Sequence, residues 1–235
     1  MANQQPLPSA ACIIGAAQSG KTTWGAQNMD ENPNYCIWVD RNRAILRLRP
    51  PLQNYVTGSW QQVRKQFFYF LLKFHKVFYN PASDEDIEDM TGAIFVIKNR
   101  AMRNFQPIYI YYDECDLILG ALGRQSNVEA VWTKFQGAGI VGIAIVQRLG
   151  QMRDLSILFN SNGGVIVFNV LDGDALGIVQ NYGLRMNFGR EHFKKTPPPC
   201  GNECDLCFVQ KNSRVAGSKY IGALYIPPTG QVVRL

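Results

Sequence analysis

The octet Gly15-Ala16-Ala17-Gln18-Ser19-Gly20-Lys21-Thr22 reads G-x-x-x-x-G-K-[ST], and it restricts the fold of this chain more than any other stretch. Its flanks agree with its letters. The apolar run Ala10-Ala11-Cys12-Ile13-Ile14 has the length and composition of a buried strand. Thr22-Thr23-Trp24-Gly25-Ala26-Gln27-Asn28 can open a helix. Glycines let such a loop turn with its N–H groups pointing inward, where they bind phosphate oxygens. The helix N-terminus adds partial positive charge. Residues 15–22 together with Thr23 therefore form the candidate nucleotide cradle. Lys21 is expected to reach the β- and γ-phosphates, and the Thr22 hydroxyl to bind Mg²⁺. The competing reading is a glycine-rich turn carrying a surface lysine.

A second run points to the same chemistry. Pro107-Ile108-Tyr109-Ile110-Tyr111-Tyr112 is apolar and aromatic, reads as a strand, and ends in Asp113-Glu114. This is the Walker B form with an adjacent glutamate. Ligands of open α/β sheets bind beyond the C-terminal ends of the strands, so both motifs converge on one sheet edge. Asp113 is expected to hold Mg²⁺ through water, and Glu114 to orient and deprotonate an attacking water. The alternative is two carboxylates that merely face solvent. A second acid next to the first favours hydrolysis over passive nucleotide binding.

With 235 residues, 46% of them hydrophobic, the chain can build one α/β core. Charged residues make up only 18%, and long disordered tracts are not expected outside the Gln- and Pro-containing residues 1–8. The net charge of +6 suits a polyanionic partner but does not by itself identify one. The most apolar stretch, Phe67 to Phe78, contains Lys73, His75 and Lys76, so no membrane span is expected. The first residues lack the pattern of a signal peptide, and a cytoplasmic start is expected. Cysteines in that compartment are thiols or metal ligands more often than disulfides.

Apolar runs alternate with helical patterns as in an α/β protein. Strands are expected at about Ala11 to Gly15, Tyr35 to Asp40, Pro107 to Tyr112, Gly139 to Val146 and Val165 to Phe168. Arg41, Arg43, Arg47 and Arg49 follow the second, either as an anion path or as a solvated basic loop. Ser59, with Gln62 three residues on, predicts a helix start, and Val63, Phe67, Phe70, Leu71, Phe74, Val77 and Phe78 fit helical spacing. Asp84-Glu85-Asp86 with Glu88-Asp89 reads as an acidic, solvated turn, followed by a helix from Gly92 to Asn104. Residues 117–124 read as a loop or short helix, and Ser126 as the cap of a helix to about Phe135. Short helices are expected near Leu155 to Asn160 and from Asp172.

Gly139-Ile140 through Ile145-Val146-Gln147-Arg148 resembles the strand of FtsK-like translocases that ends in glutamine and often arginine. It follows the Asp113-Glu114 pair at a similar interval. Asp40 matches an acidic position common in that group, and the turn Asp172 to Asp174 is similar too. The resemblance is to the FtsK–HerA group of RecA-like motor ATPases over about residues 10–185. Within it, the small size and Leu158-Phe159-Asn160-Ser161 are similar to the genome-packaging ATPases of tectivirus-like icosahedral viruses with an internal membrane. The resemblance implies a ring, pentameric or hexameric, that hydrolyses ATP with Mg²⁺ and pushes double-stranded DNA into a preformed capsid. Capsid vertex or portal-region proteins would be partners, and the host cytoplasm and the virion its locations.

The resemblance also implies that Gln147 reads the γ-phosphate or the lytic water, so the catalytic set becomes Lys21, Glu114 and Gln147 with an arginine acting in trans. Many FtsK-like chains carry that arginine just before the Gly-Ile pair. Here Lys134-Phe135-Gln136-Gly137 places Gln136 near that point. Arg124 and Arg148 are the candidates instead, with Arg153 and Lys134 behind them. Such a finger contributes about a thousandfold or more in rate.

Cys200-Gly201-Asn202-Glu203-Cys204-Asp205-Leu206-Cys207 is C-x₃-C-x₂-C. Three thiolates at this spacing, with His192 as a fourth ligand, can wrap one Zn²⁺, and free thiols or a disulfide are the alternatives. Cys12, Cys36 and Cys115 lie in or beside strands and are expected to pack as small apolar groups. The expected organisation is a flexible stretch over residues 1–9 and a P-loop ATPase core over 10–189. A C-terminal extension over 190–235 would carry the possible zinc knuckle and a closing strand. The expected fold is α/β and RecA-like, with a mostly parallel central sheet flanked by helices. The rival functions are a filamentous-phage-type morphogenesis or secretion ATPase, which typically carries a membrane span, and a nucleotide-dependent assembly switch that does not move DNA. A P-loop kinase would need lid arginines and an acceptor site, and no lid is recognisable in the sequence.

Overall fold

A strand buried at every position must be covered by helices on both faces, and that is how Tyr35-Cys36-Ile37-Trp38-Val39 sits. The computed structural model describes residues 10–17, 19–49, 52–101, 106–123, 125–147, 164–168, 224–226 and 233–234. In chain order the described elements are β1 (Ala10–Ile14), α1 (Lys21–Glu31), β2 (Tyr35–Val39), α2 (Ala44–Leu48), β3 (Tyr55–Gly58), α3 (Trp60–Phe74), β4 (Lys76–Pro81) and α4 (Asp84–Arg100). They continue as β5 (Ile108–Asp113), α5 (Cys115–Leu122), α6 (Asn127–Thr133), a 3₁₀ turn at Gln136–Ala138, β6 (Ile140–Val146), β7 (Gly164–Val167), β8 (Leu224–Ile226) and β9 (Val233–Arg234).

These strands form one sheet in the order β3-β4-β2-β5-β6-β1-β7-β8-β9. β3 through β7 in that order pair in parallel, and β8 and β9 add antiparallel at one edge. One face buries Trp24 and Met29 of α1 and Ile45 of α2 against Trp38, Tyr111 and Ile166. The other buries Trp60 and Phe67 of α3, Met90 of α4, Ile118 of α5 and Trp132 of α6 against Ile37, Tyr112 and Val146. Gly142 lets α6 lie close on β6, since a Cβ there would stand 2.7 Å from Trp132 and Val131. The architecture is an α/β P-loop NTPase fold.

The structure corrects some sequence-based expectations and bears out others. The helical pattern from Ser59 does not run to Phe78. His75 takes a left-handed φ of 57°, α3 stops at Phe74, and Val77 and Phe78 belong to β4. The edge strand β3, four residues long, went unseen in the sequence. The acidic stretch from Asp84 is the first two turns of α4, opened by a reciprocal capping box between Ser83 and Asp86. Its carboxylates also hold neighbours: Asp86 accepts from Trp60 N at 2.8 Å, and Glu88 from Asn127 N at 2.6 Å. Residues 115–122 are a helix, and Ser126 caps α6 by accepting from Glu129 N. Cys12, Cys36 and Cys115 are buried free thiols, as small apolar groups are. Burial pushes the Cys36 thiol up to about 12.

Candidate nucleotide site

The loop between β1 and α1 is organised by its own backbone. Gly15 N donates to Val146 O at 3.2 Å, Ser19 N to Ala16 O at 3.3 Å, and Trp24 N to Gly20 O at 2.9 Å. Gly20 sits at φ 98°, which a side chain resists, although a Cβ there would meet nothing closer than Phe168 at 3.8 Å. The second glycine of the motif is thus required by conformation and not by space. Ser19 is buried, and its Oγ has no hydrogen-bond partner among the described residues. Thr22 and Thr23 are half-buried in the first turn of α1.

Lys21 opens that helix and is only 8% exposed. Its ammonium donates to Ala16 O at 2.8 Å. Burial lowers its proton affinity to about 8, opposed by the charges of Asp113, Asp116 and Glu114. At neutral pH the lysine keeps its charge, held inside the loop by Ala16 O.

Asp113 is the last residue of β5 and is 6% exposed. Burial pushes its carboxyl up to about 7; Asp40 and Glu114 push further, and Lys21 and the Glu114 backbone N–H oppose. Asp40 follows β2, is fully buried, and accepts from Tyr55 OH at 2.8 Å and Ile45 N at 3.3 Å. Burial raises the proton affinity of Asp40 too. Glu114 follows Asp113 in a left-handed conformation, φ 56°, and starts α5. Its carboxylate accepts from the Asn42 side-chain amide.

Sheet order brings these parts together. β6 lies between β1 and β5 and pairs with both. Ile14 aligns with Val146, and Asp113 with Ile145. Gln147, half-buried and next in the chain after Val146, therefore stands between the phosphate loop and the Asp113-Glu114 pair. Lys134 follows α6 and is exposed; Gln136 is exposed, with its amide on Trp132 O at 3.2 Å. Gln18, Arg124, Arg148, Arg153, His192, Cys200, Cys204 and Cys207 lie outside the described residues, as do the segments expected near 155–160 and 172–174.

Sequence reasoning missed three residues here. Asn42 lies in an unremarkable Arg-Asn-Arg turn and carries no local signal. Tyr55 meets Asp40 only because β3 joins the sheet. Asp116, buried in the first turn of α5, acts on Lys21 by charge, and its spacing in Asp-Glu-Cys-Asp was the available clue.

Among the described residues no group of three or more His, Cys, Asp and Glu side chains is arranged to hold a metal. One hydroxyl and one carboxylate, Thr22 and Asp113, nevertheless fit Mg²⁺. That ion keeps several waters and needs few protein oxygens when phosphates supply the rest. No described helix is long and apolar enough to cross a membrane.

No family model and no curated protein matches the sequence. Solved structures do resemble the fold. The genome packaging NTPase B204 from Sulfolobus turreted icosahedral virus 2 in complex with ATP-gammaS aligns with a TM-score of 0.56 at 12% identity, over 97% of this chain and 98% of that one. Its complex with AMPPCP gives 0.55 at 14% identity, over 97% of both chains. B204, the DNA-packaging ATPase from Sulfolobus Turreted Icosahedral Virus, gives 0.54 at 13% identity, over 96% and 97%. At such identity the likeness is one of fold, and it extends over nearly the whole of each chain.

Proposed function

We propose that this chain is a Mg²⁺-dependent ATPase, and that it works as a ring-forming motor that moves double-stranded DNA into a viral capsid. The observation that carries the reading is the sheet order. It sets the tip of β6, with Gln147, between the Lys21 loop and the Asp113-Glu114 pair. The near-complete overlap with genome-packaging NTPases supports the motor assignment over other uses of the fold.

The roles follow from position. The N–H groups of residues 15–22 and the Lys21 ammonium bind the phosphates, and Thr23 adds a hydroxyl at the helix start. Thr22 and Asp113 hold Mg²⁺, which when bound neutralises phosphate charge. Glu114 orients a water and takes its proton. Gln147 reports the state of the γ-phosphate to the chain that follows it. An arginine in trans, Arg124 or Arg148, requires a neighbouring copy, and a ring supplies one. DNA, a capsid vertex and action in the host cell and virion belong to this reading. The Zn²⁺ site at Cys200, Cys204, Cys207 and His192 is a separate proposal, tested by zinc content before and after mutation of Cys204.

The test is steady-state ATP hydrolysis with and without double-stranded DNA, beside Glu114→Gln. Stimulation by DNA that the variant lacks supports the motor. Turnover indifferent to DNA points to an assembly ATPase, and tight ATP binding without turnover to a switch.

A further inference from the structure

Residues 41–83 contain no aspartate or glutamate, yet they hold five arginines and three lysines. The whole chain is only +6, so everything outside this stretch is net negative. Two of the arginines are neutralised. Arg41 forks onto Asp84, with Nε to Oδ1 at 2.9 Å and Nη2 to Oδ2 at 3.0 Å, and Arg49 pairs with Asp30. The lysines are not: none of Lys65, Lys73 and Lys76 makes an ion pair among the described residues.

Exposed apolar side chains gather in the same stretch. Tyr69 and Leu72 are each 55% exposed and Phe74 37%, all in the last two turns of α3. The buried face of that helix is Trp60, Val63, Phe67 and Leu71. Positions three and four apart are neighbours on a helix, so Lys65, Tyr69, Leu72 and Lys73 form one patch pointing away from the core. Lys73 ties it together. Its Nζ donates to Tyr69 OH at 3.1 Å and lies 5.3 Å from the Tyr69 ring and 5.2 Å from the Phe74 ring. α3 runs back from the end of β3 to the start of β4, so the patch sits at the sheet edge opposite the nucleotide site.

Apolar side chains and cations, side by side and free of acids, fit one partner better than others. DNA phosphates attract lysine but give Leu72 and Phe74 nothing to bury against. Protein interfaces are depleted in lysine. The headgroup zone of a bilayer takes both kinds. Rings and leucine enter the acyl boundary, and lysine stems lie along them with their ammonium groups at lipid phosphates. We propose that the C-terminal half of α3 docks this protein on an anionic lipid surface. Tyr69, Leu72 and Phe74 enter the headgroup zone, and Lys65, Lys73 and Lys76 face the lipid phosphates. The contact is peripheral and does not depend on the proposed hydrolysis.

The test sediments the full-length protein with vesicles of phosphatidylcholine alone, and with vesicles of equal parts phosphatidylcholine and phosphatidylglycerol. The parent is expected to bind the anionic vesicles, to release them as salt rises from about 0.1 to about 0.5 M, and to leave the neutral ones free. Each lysine near such a surface contributes about fivefold, so Lys65→Gln with Lys73→Gln weakens binding by about twenty-fivefold. Tyr69→Ser with Leu72→Ser weakens it by about tenfold or more. Both pairs lie on the surface, so ATPγS affinity and thermal midpoint stay at the parent values. The proposal is overturned if the parent ignores anionic vesicles, if it binds both kinds equally, or if either pair of substitutions leaves binding intact. Lost binding that tracks a lost midpoint overturns it too. Two rival occupants have their own readouts, and either would replace the lipid. Duplex DNA held by the parent and lost only in the lysine variant, with no vesicle binding, assigns the patch to nucleic acid. Self-association in ultracentrifugation that either variant abolishes, again with no vesicle binding, assigns it to a second copy of this chain.

Discussion

The two sides of the site are built in opposite ways. The phosphate loop is eight consecutive residues, 15–22, between a strand and the helix it opens. Its key bonds span short intervals, as from Lys21 to Ala16 and from Trp24 to Gly20. The acid side gathers Asp40 and Asn42 from beyond β2 with Asp113 and Glu114 from the end of β5, and its parts meet only because β2 pairs with β5. In the proposed function the first side binds nucleotide and the second turns it over. Damage to one should not mimic damage to the other.

The sharpest way to break that contrast is to disable each side in turn. Lys21→Ala is expected to lose hydrolysis and to weaken ATPγS binding by about ten- to a hundredfold, as loss of charge-assisted bonds predicts. Glu114→Gln is expected to lose hydrolysis by about a hundredfold or more while retaining the nucleotide. Equal loss of affinity in both, measured by titration, would mean that the two sides act as one unit.

Acidity should separate the sides next. Lys21 has its proton affinity lowered to about 8, so it is charged below that pH and neutral above it. Nucleotide affinity is therefore expected to fall by up to about tenfold per unit as pH rises beyond 8. Affinity that stays flat to pH 9.5 would show that Lys21 keeps its proton.

Asp113 carries the opposite sign. Its folded proton affinity, about 7, lies above the ordinary carboxylate value of 3.8. The native state thus binds more protons than the unfolded chain between those values, and stability falls as pH rises from about 4 to about 7. Asp113→Asn removes that penalty. It is expected to raise the thermal midpoint of the nucleotide-free protein at pH 7.5 by roughly 2–8 °C while abolishing turnover. A lower midpoint would show that attraction to Lys21 outweighs burial and the neighbouring carboxylates.

The smallest effect lies away from the site, where it serves as the control. Ser83→Ala deletes one half of the α4 capping box and should cost about 1 kcal/mol by denaturant titration. ATPγS affinity should not change. A drop in affinity would tie the Asp84–Arg41 link at that helix start to the nucleotide loop.

Much of this was legible in the chain. The strand before the loop, the Asp113-Glu114 strand end, the Ser126 cap and the β6 run all follow from patterns of a few residues. The failures share a cause. Lys76-Val77-Phe78 continued a helical spacing, and only the left-handed turn at His75 and the pairing of β4 with β2 and β3 made it a strand. The run of acids from Asp84 looked like solvated surface because its partners, Arg41, Trp60 N and Asn127 N, come from three other parts of the chain.

By itself the sequence determined the phosphate loop, since glycine conformation, helix-start dipole and one lysine act within a few residues of each other. It also determined which residues could serve as acids. Tertiary structure alone decided that Gln147 stands between them, that Asn42 reaches Glu114, and that burial raises the proton affinity of Asp113. Each of these depends on strand order and on exclusion of water, and both are properties of distant segments brought together in a core.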